Sequence, residues 1–192
     1  MTVHEPIAVP GLPRPYRFSQ ADYALLSDHG AFDRYAKTEL VEGVILAVNA
    51  QYSRHARVQS LLLRLLGAAC DDIAGDLGAW VELSIAAGER SMPRPDIVVT
   101  RGLPDSGPVP LDSVALIIEV ADSSLDADLN AKAAFYARLG IAEYWVADAD
   151  HRIIHQLCQS DGQVYGLHRE IAFGTTIDAV TIPELTIETA RL

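Results

Sequence analysis

Apolar positions recur along this chain in two rhythms, and the rhythm predicts where helices and strands fall. Across residues 53–74 apolar side chains stand at 58, 61, 62, 65, 66, 69 and 73, the three-and-four spacing of an amphipathic helix laid on a sheet. A shorter helix over Ala21, Tyr23, Leu25 and Leu26 is expected after Ser19, a residue type that caps helix starts, and should stop near Gly30. A third, over residues 127–139, follows the polar turn 122–126 and places Leu129, Lys132 and Tyr136 on one face.

Between the helices, short runs rich in β-branched and aromatic residues predict strands. Residues 35–41 and 44–48 form one pair, joined at Glu42-Gly43, a dipeptide that permits a tight hairpin. Residues 80–85 and 94–100 form a second pair across 87–90, and 103–110 is a Gly/Pro-containing surface loop. The nearly all-apolar 114–120 and the run 141–147 read as buried strands, 152–157 and 163–169 as a hairpin about Ser160-Asp161-Gly162, and 177–192 as weaker strand. The expectation is an α/β fold, a mixed central sheet flanked by helices. Residues 1–18, with prolines at 6, 10, 13 and 15, form an extended lead-in to a single domain over 19–192.

Composition narrows the function more than the fold. With 192 residues and 49% hydrophobic content the chain can bury a sizeable core. A formal net charge of -11 argues against a protein that coats nucleic acid through clustered cations. Cys70 and Cys158 are too few for a disulfide framework or a zinc site. No basic segment followed by an apolar core marks a signal peptide, and the greasiest stretch, 61–66, is interrupted by Arg64, so a cytoplasmic protein without a membrane span is expected.

Signatures of several enzyme classes are missing. The only lysines, Lys37 and Lys132, do not follow a glycine, so there is no phosphate loop. No Gly-x-Ser-x-Gly elbow, His-Glu-x-x-His helix or Gly-x-Gly-x-x-Gly turn occurs. His151 and His155 are four apart in a strand segment and read as surface or core residues rather than metal ligands. What stands out is Asp96 and Glu119, each beside an apolar strand, with Lys132 on the helix beyond. Two carboxylates on neighbouring strands, with a main-chain carbonyl such as that of Val120, supply hard oxygen ligands for Mg²⁺ or Mn²⁺, and an ammonium nearby can orient water or stabilise a phosphoryl transition state. The simpler alternatives are an Asp96–Arg94 pair, a Glu119 that caps the next helix and a solvent-facing Lys132. Arg54, Arg57 and Arg64 lie off the apolar stripe, and Arg54, His55 and Arg57 gather at the helix start; a solvated face is favoured there over phosphate contact.

Taken in order, Thr38-Glu39-Leu40-Val41-Glu42-Gly43, Arg94-Pro95-Asp96, Ile118-Glu119-Val120, Lys132-x-x-x-Tyr136 and Gly140-Ile141-x-Glu143-Tyr144-Trp145 resemble the Uma-type restriction endonuclease family within the PD-(D/E)XK nuclease superfamily. The resemblance implies a restriction-endonuclease-like core with additional β-hairpins, a Mg²⁺ or Mn²⁺ site at Asp96 and Glu119, and a catalytic lysine. The superfamily places that lysine two residues after the second acid, where this chain has Ala121, so Lys132 would replace it. Glu42 matches a further acid and His55 the histidine before the long helix; otherwise Glu42 simply favours the hairpin bend.

The sequence therefore points to a metal-dependent endonuclease acting on DNA phosphodiesters, working as a homodimer because a duplex presents two antiparallel strands. Two alternatives stay open: a catalytically inactive binding module with the same fold, and a metal-dependent hydrolase of another phosphate ester.

Overall fold

The computed structural model describes residues 14–48 and 52–192, so the expected lead-in lies outside the described residues up to position 13. Ser19 begins α1 (Gln20–Asp28): its side chain accepts from the Asp22 N–H while the Asp22 carboxylate accepts from the Ser19 N–H, a reciprocal capping box. Strands β1 (Lys37–Val41) and β2 (Val44–Val48) follow as an antiparallel hairpin. Glu42 at φ 49° and Gly43 at φ 79° are both left-handed, as a two-residue hairpin turn requires. A Cβ on Gly43 would lie 2.7 Å from the Cβ of Arg17, so glycine is needed there for space as well as conformation.

Helix α2 (Ser53–Asp71) buries Val58, Leu62, Leu66 and Cys70 on one stripe, with Leu61, Leu65, Ala69 and Ile73 at its borders. The order then runs β3 (Leu77–Val81), β4 (Ile85–Ala86), β5 (Ile97–Arg101), β6 (Val109–Pro110), β7 (Val114–Ala121), α3 (Leu125–Ala127), a π-helical turn (Asp128–Lys132), α4 (Ala133–Arg138), β8 (Glu143–Asp148), β9 (Ile153–Ser160), β10 (Tyr165–Ala172), β11 (Thr176–Asp178) and β12 (Thr186–Glu188). The strand expected over 80–85 is broken. Glu82 takes φ 51°, and Arg94 Nε fixes its carbonyl at 2.8 Å, leaving β3 to pair with β5 and β4 to pair with β6.

The central sheet has six strands in the order β10-β9-β8-β7-β5-β3. Only β7 and β8 are parallel, so their connection must cross over a face of the sheet, and α3, the π turn and α4 make that crossover. Alternate residues of β7 divide the core. Leu116, Ile118 and Val120 face α2, whereas Ile117, with Val98, Tyr144 and Val146, packs against Ala133, Phe135 and Tyr136. The sheet is thus buried on both sides, which is why its parallel strands read as almost continuous apolar runs.

Candidate functional site

Antiparallel pairing of β5 with β7 sets Ile97 opposite Ile118 and thereby brings Asp96, just before β5, beside Glu119. The Asp96 N–H lies 3.4 Å from Glu119 Oε2. Both acids are buried, at 5% and 2% exposure. Asp96 is held on several sides: Lys37 Nζ of β1 is 3.1 Å from Oδ1, His55 Nε2 of α2 is 3.0 Å from Oδ2, and the Val120 N–H donates to Oδ2 at 2.9 Å. Gln59, one helical turn after His55, donates to the Asp96 carbonyl at 3.0 Å. Arg94, by contrast, pairs with Glu82 at 3.1 Å.

Glu119 is met from the crossover. Lys132 Nζ and Tyr136 Oη both converge on Oε1, at 3.0 and 2.9 Å, and Lys132 also reaches Asp128 at 3.3 Å. The π turn sets this convergence. The Ala133 N–H reaches back to the Asp128 carbonyl, which also accepts from Tyr144 Oη at 3.1 Å; such widened turns are frequent at functional sites. Lys132 keeps 31% of its side chain exposed, so one end of the cluster opens to solvent.

The electrostatics follow from burial and from an imbalance of charge. Four carboxyl groups act here, those of Glu39, Asp96, Glu119 and Asp128, against the ammonium groups of Lys37 and Lys132. Burial pushes Asp96 up, but His55, Lys37 and the Val120 N–H outweigh it and hold the carboxyl below its usual range. For Glu119 burial wins: even with Lys132 pulling down, its pKa is pushed up to about 8, helped by the charge of Asp96. Burial works against the charge on Lys132, yet Glu119, Asp128, Glu39 and Asp96 together raise its pKa well above the ordinary value. Lys132 is therefore a fixed cation rather than a base.

The residues present fit a divalent cation. The acids outnumber the lysines, and their donors are hard oxygens of the kind that such an ion prefers. Of the residues singled out from sequence, Asp96, Glu119, Val120, Lys132 and His55 come together. Glu42 does not: it sits at the hairpin turn and pairs with Arg138 at 2.8 Å, 45% exposed. Glu39, three residues earlier on β1 and 4% exposed, is the acid that points inward, and its carboxylate accepts from the Arg94 N–H at 3.2 Å. Arg54 is engaged by Asp122 and Asp150, and Arg57 is exposed on α2. Lys37, Glu39, Gln59 and Asp128 escaped the sequence reading. A signal existed for the first two, since Lys37 and Glu39 are alternate residues of one strand and must share a face.

Comparison with known proteins gives the family and a structure of similar fold. The profile of the Uma2 family, described as "Putative restriction endonuclease", matches residues 21–190. A crystal structure of a "putative nuclease belonging to DUF820" from Anabaena variabilis ATCC 29413 superposes with a TM-score of 0.53 over 74% of this chain and 80% of that one, at 15% identity, a likeness of fold. A search of curated proteins gave no match. Among the described residues no helix is long and apolar enough to cross a membrane. With the profile running from α1 to beyond β12, the chain belongs to the Uma2 family.

Proposed function

We propose that this chain is a metal-dependent endonuclease that hydrolyses DNA phosphodiester bonds, with Asp96, Glu119 and the main-chain carbonyl of Val120 as the oxygen ligands. The observation that carries this reading is the meeting of two buried carboxylates, short of positive charge, with a lysine that stays protonated. A bound Mg²⁺ or Mn²⁺ supplies Lewis-acid polarisation of a phosphoryl oxygen and an acidified water. Lys132, through its N–H groups, orients the attacking water or offsets charge on the phosphoryl oxygens, the surrounding acids favouring its charged form. Lys37 and His55 fix the orientation of Asp96 from opposite sides, and Tyr136 does the same for Glu119. Two-fold pairing of chains would present one such site to each strand of a duplex.

Calorimetric titration with Mn²⁺ of the wild type, Glu119→Gln and Asp96→Asn tests the site, with folding followed by circular dichroism. Saturable binding in the wild type and its loss in both folded variants is expected. Plasmid cleavage tests the chemistry: Lys132→Ala should bind Mn²⁺ nearly as well as the wild type yet cut at least about a hundredfold more slowly. Undiminished cleavage by that variant would remove the role given to Lys132, and no metal binding by the wild type would leave the fold without this activity.

A further inference from the structure

A second cluster of ligating side chains lies on the outer hairpin, away from the acids. His155 on β9 is the register partner of Glu170 on β10, and His168, two residues before Glu170, projects from the same face of β10. His155 Nδ1 lies 3.0 Å from His168 Nε2 and 3.8 Å from Glu170 Oε1. The three ligand atoms all fall within 4.8 Å of one another. Two ligands of a tetrahedral ion at metal–nitrogen distances of about 2.0–2.1 Å are separated by roughly 3.3–3.4 Å, so the observed pair of distances brackets what such an ion needs. The His155 imidazole is buried, with 7% of its side chain exposed, and Nε2, its other nitrogen, has no hydrogen-bond partner among the described residues. Among the described residues, the polar group within hydrogen-bond reach of the ring is a second imidazole, at Nδ1.

We propose that His155, His168 and Glu170 form a site for a zinc-class transition metal, separate from the carboxylate site. Two imidazoles and one carboxylate favour Zn²⁺, Co²⁺ or Ni²⁺, whereas the all-oxygen set at Asp96 and Glu119 favours Mg²⁺ or Mn²⁺. The two sites cannot share one chemistry. Glu119, Val146, His155 and Glu170 are successive register partners across β7, β8, β9 and β10, and strands are spaced about 4.8 Å apart, so Glu119 and His155 stand roughly 10 Å from each other. That is well beyond the ~3.5–4 Å separation of a two-metal centre. His155 is fixed in the sheet while His168 and Glu170 are exposed, so an ion can enter from solvent. Three protein ligands leave a fourth position for water, and the bound ion ties the edge strand β10 to β9.

The test uses the untagged full chain, titrated with Co²⁺ while its visible d–d absorption is followed, then back-titrated with Zn²⁺. One Co²⁺ per chain is expected, with the strong absorption of a tetrahedral site, displaced by Zn²⁺. The band should persist in Glu119→Gln and in His151→Ala, a control for an exposed histidine outside the cluster. In His168→Ala and in Glu170→Ala, both surface changes that spare the core, Co²⁺ affinity should fall by at least about tenfold. Absence of the band in the wild type, or an unchanged titration in His168→Ala, overturns the proposal. A band lost in Glu119→Gln but kept in His168→Ala would assign the ion to the carboxylates instead.

Discussion

The protonation of Glu119 makes a prediction about the metal-free protein that needs no substrate. Its carboxyl rises from 4.5 to about 8 on burial, so between those values the folded chain holds a proton that the unfolded chain has released. Stability from this group is complete below about pH 4.5 and is lost as the pH climbs to about 8, at about 1.4 kcal/mol per pH unit and about 5 kcal/mol in all. Asp96, whose pKa is lowered, titrates below this window and costs stability only on acidification. His151, raised by its bond to Asp148, adds to the loss, and His155, lowered by burial, opposes it. Glu119→Gln removes the titration while keeping the acceptor for Tyr136 Oη. Urea unfolding in chelator, at several values between about pH 5 and about pH 8, should therefore give a stability slope about 1.4 kcal/mol per unit flatter in the variant than in the wild type. Equal slopes would mean that Glu119 is already ionised in the folded protein and that Lys132 outweighs its burial.

Three further outcomes are expected. If Mn²⁺ takes Glu119 as a carboxylate, each ion bound below about pH 8 displaces close to one proton and affinity climbs up to about tenfold per pH unit; calorimetry in buffers of different ionisation enthalpy reads this, and a proton count of zero where the stability slopes show Glu119 protonated removes it from the ligand set. Glu143, fully buried, accepts from Trp145 Nε1 at 2.7 Å, Gln156 at 2.8 Å, and the Thr181 N–H and hydroxyl at 2.8 and 2.9 Å; Glu143→Ala should cost about 3 kcal/mol or more by thermal unfolding and leave the intrinsic Mn²⁺ affinity of the folded fraction unchanged. Leu62→Ala, at a position with no exposure in the α2–sheet core, should cost about 2–5 kcal/mol by urea unfolding, and a loss below about 1 kcal/mol would contradict the packing described.

Much of the architecture was legible because burial writes itself into spacing. The α2 stripe, the hairpin at Glu42-Gly43 and the apolar run of β7 each carried a local pattern that the fold preserved. The break at Glu82 was not legible, since a left-handed glutamate is imposed from outside by Arg94. Nor was the π turn, whose Asp128 carbonyl is also held by a tyrosine from β8. The site divides in the same way. Asp96 and Glu119 announced themselves as acids beside apolar strands. Choosing Glu39 over Glu42 required knowing which face of β1 meets the sheet, and that is settled by tertiary contacts such as the Leu40 bridge to Met92.

The ion pair between Lys37 and Asp96 joins residues 59 apart in the chain. Pairing of β5 with β7 can bring Asp96 and Glu119 together across 23 residues, whereas Lys37 arrives only when the amino-terminal hairpin docks. Closing the longer loop carries the larger entropic toll, so of these contacts the Lys37–Asp96 pair leans most on the docking of a distant segment. The two acids of the cluster thus depend on different parts of the chain for their nearest lysine: Glu119 takes Lys132 from the crossover that follows its own strand, whereas Asp96 takes Lys37 from a hairpin far back in the sequence, so loosening that hairpin alone would alter the charge around Asp96 and leave the Glu119 pair in place.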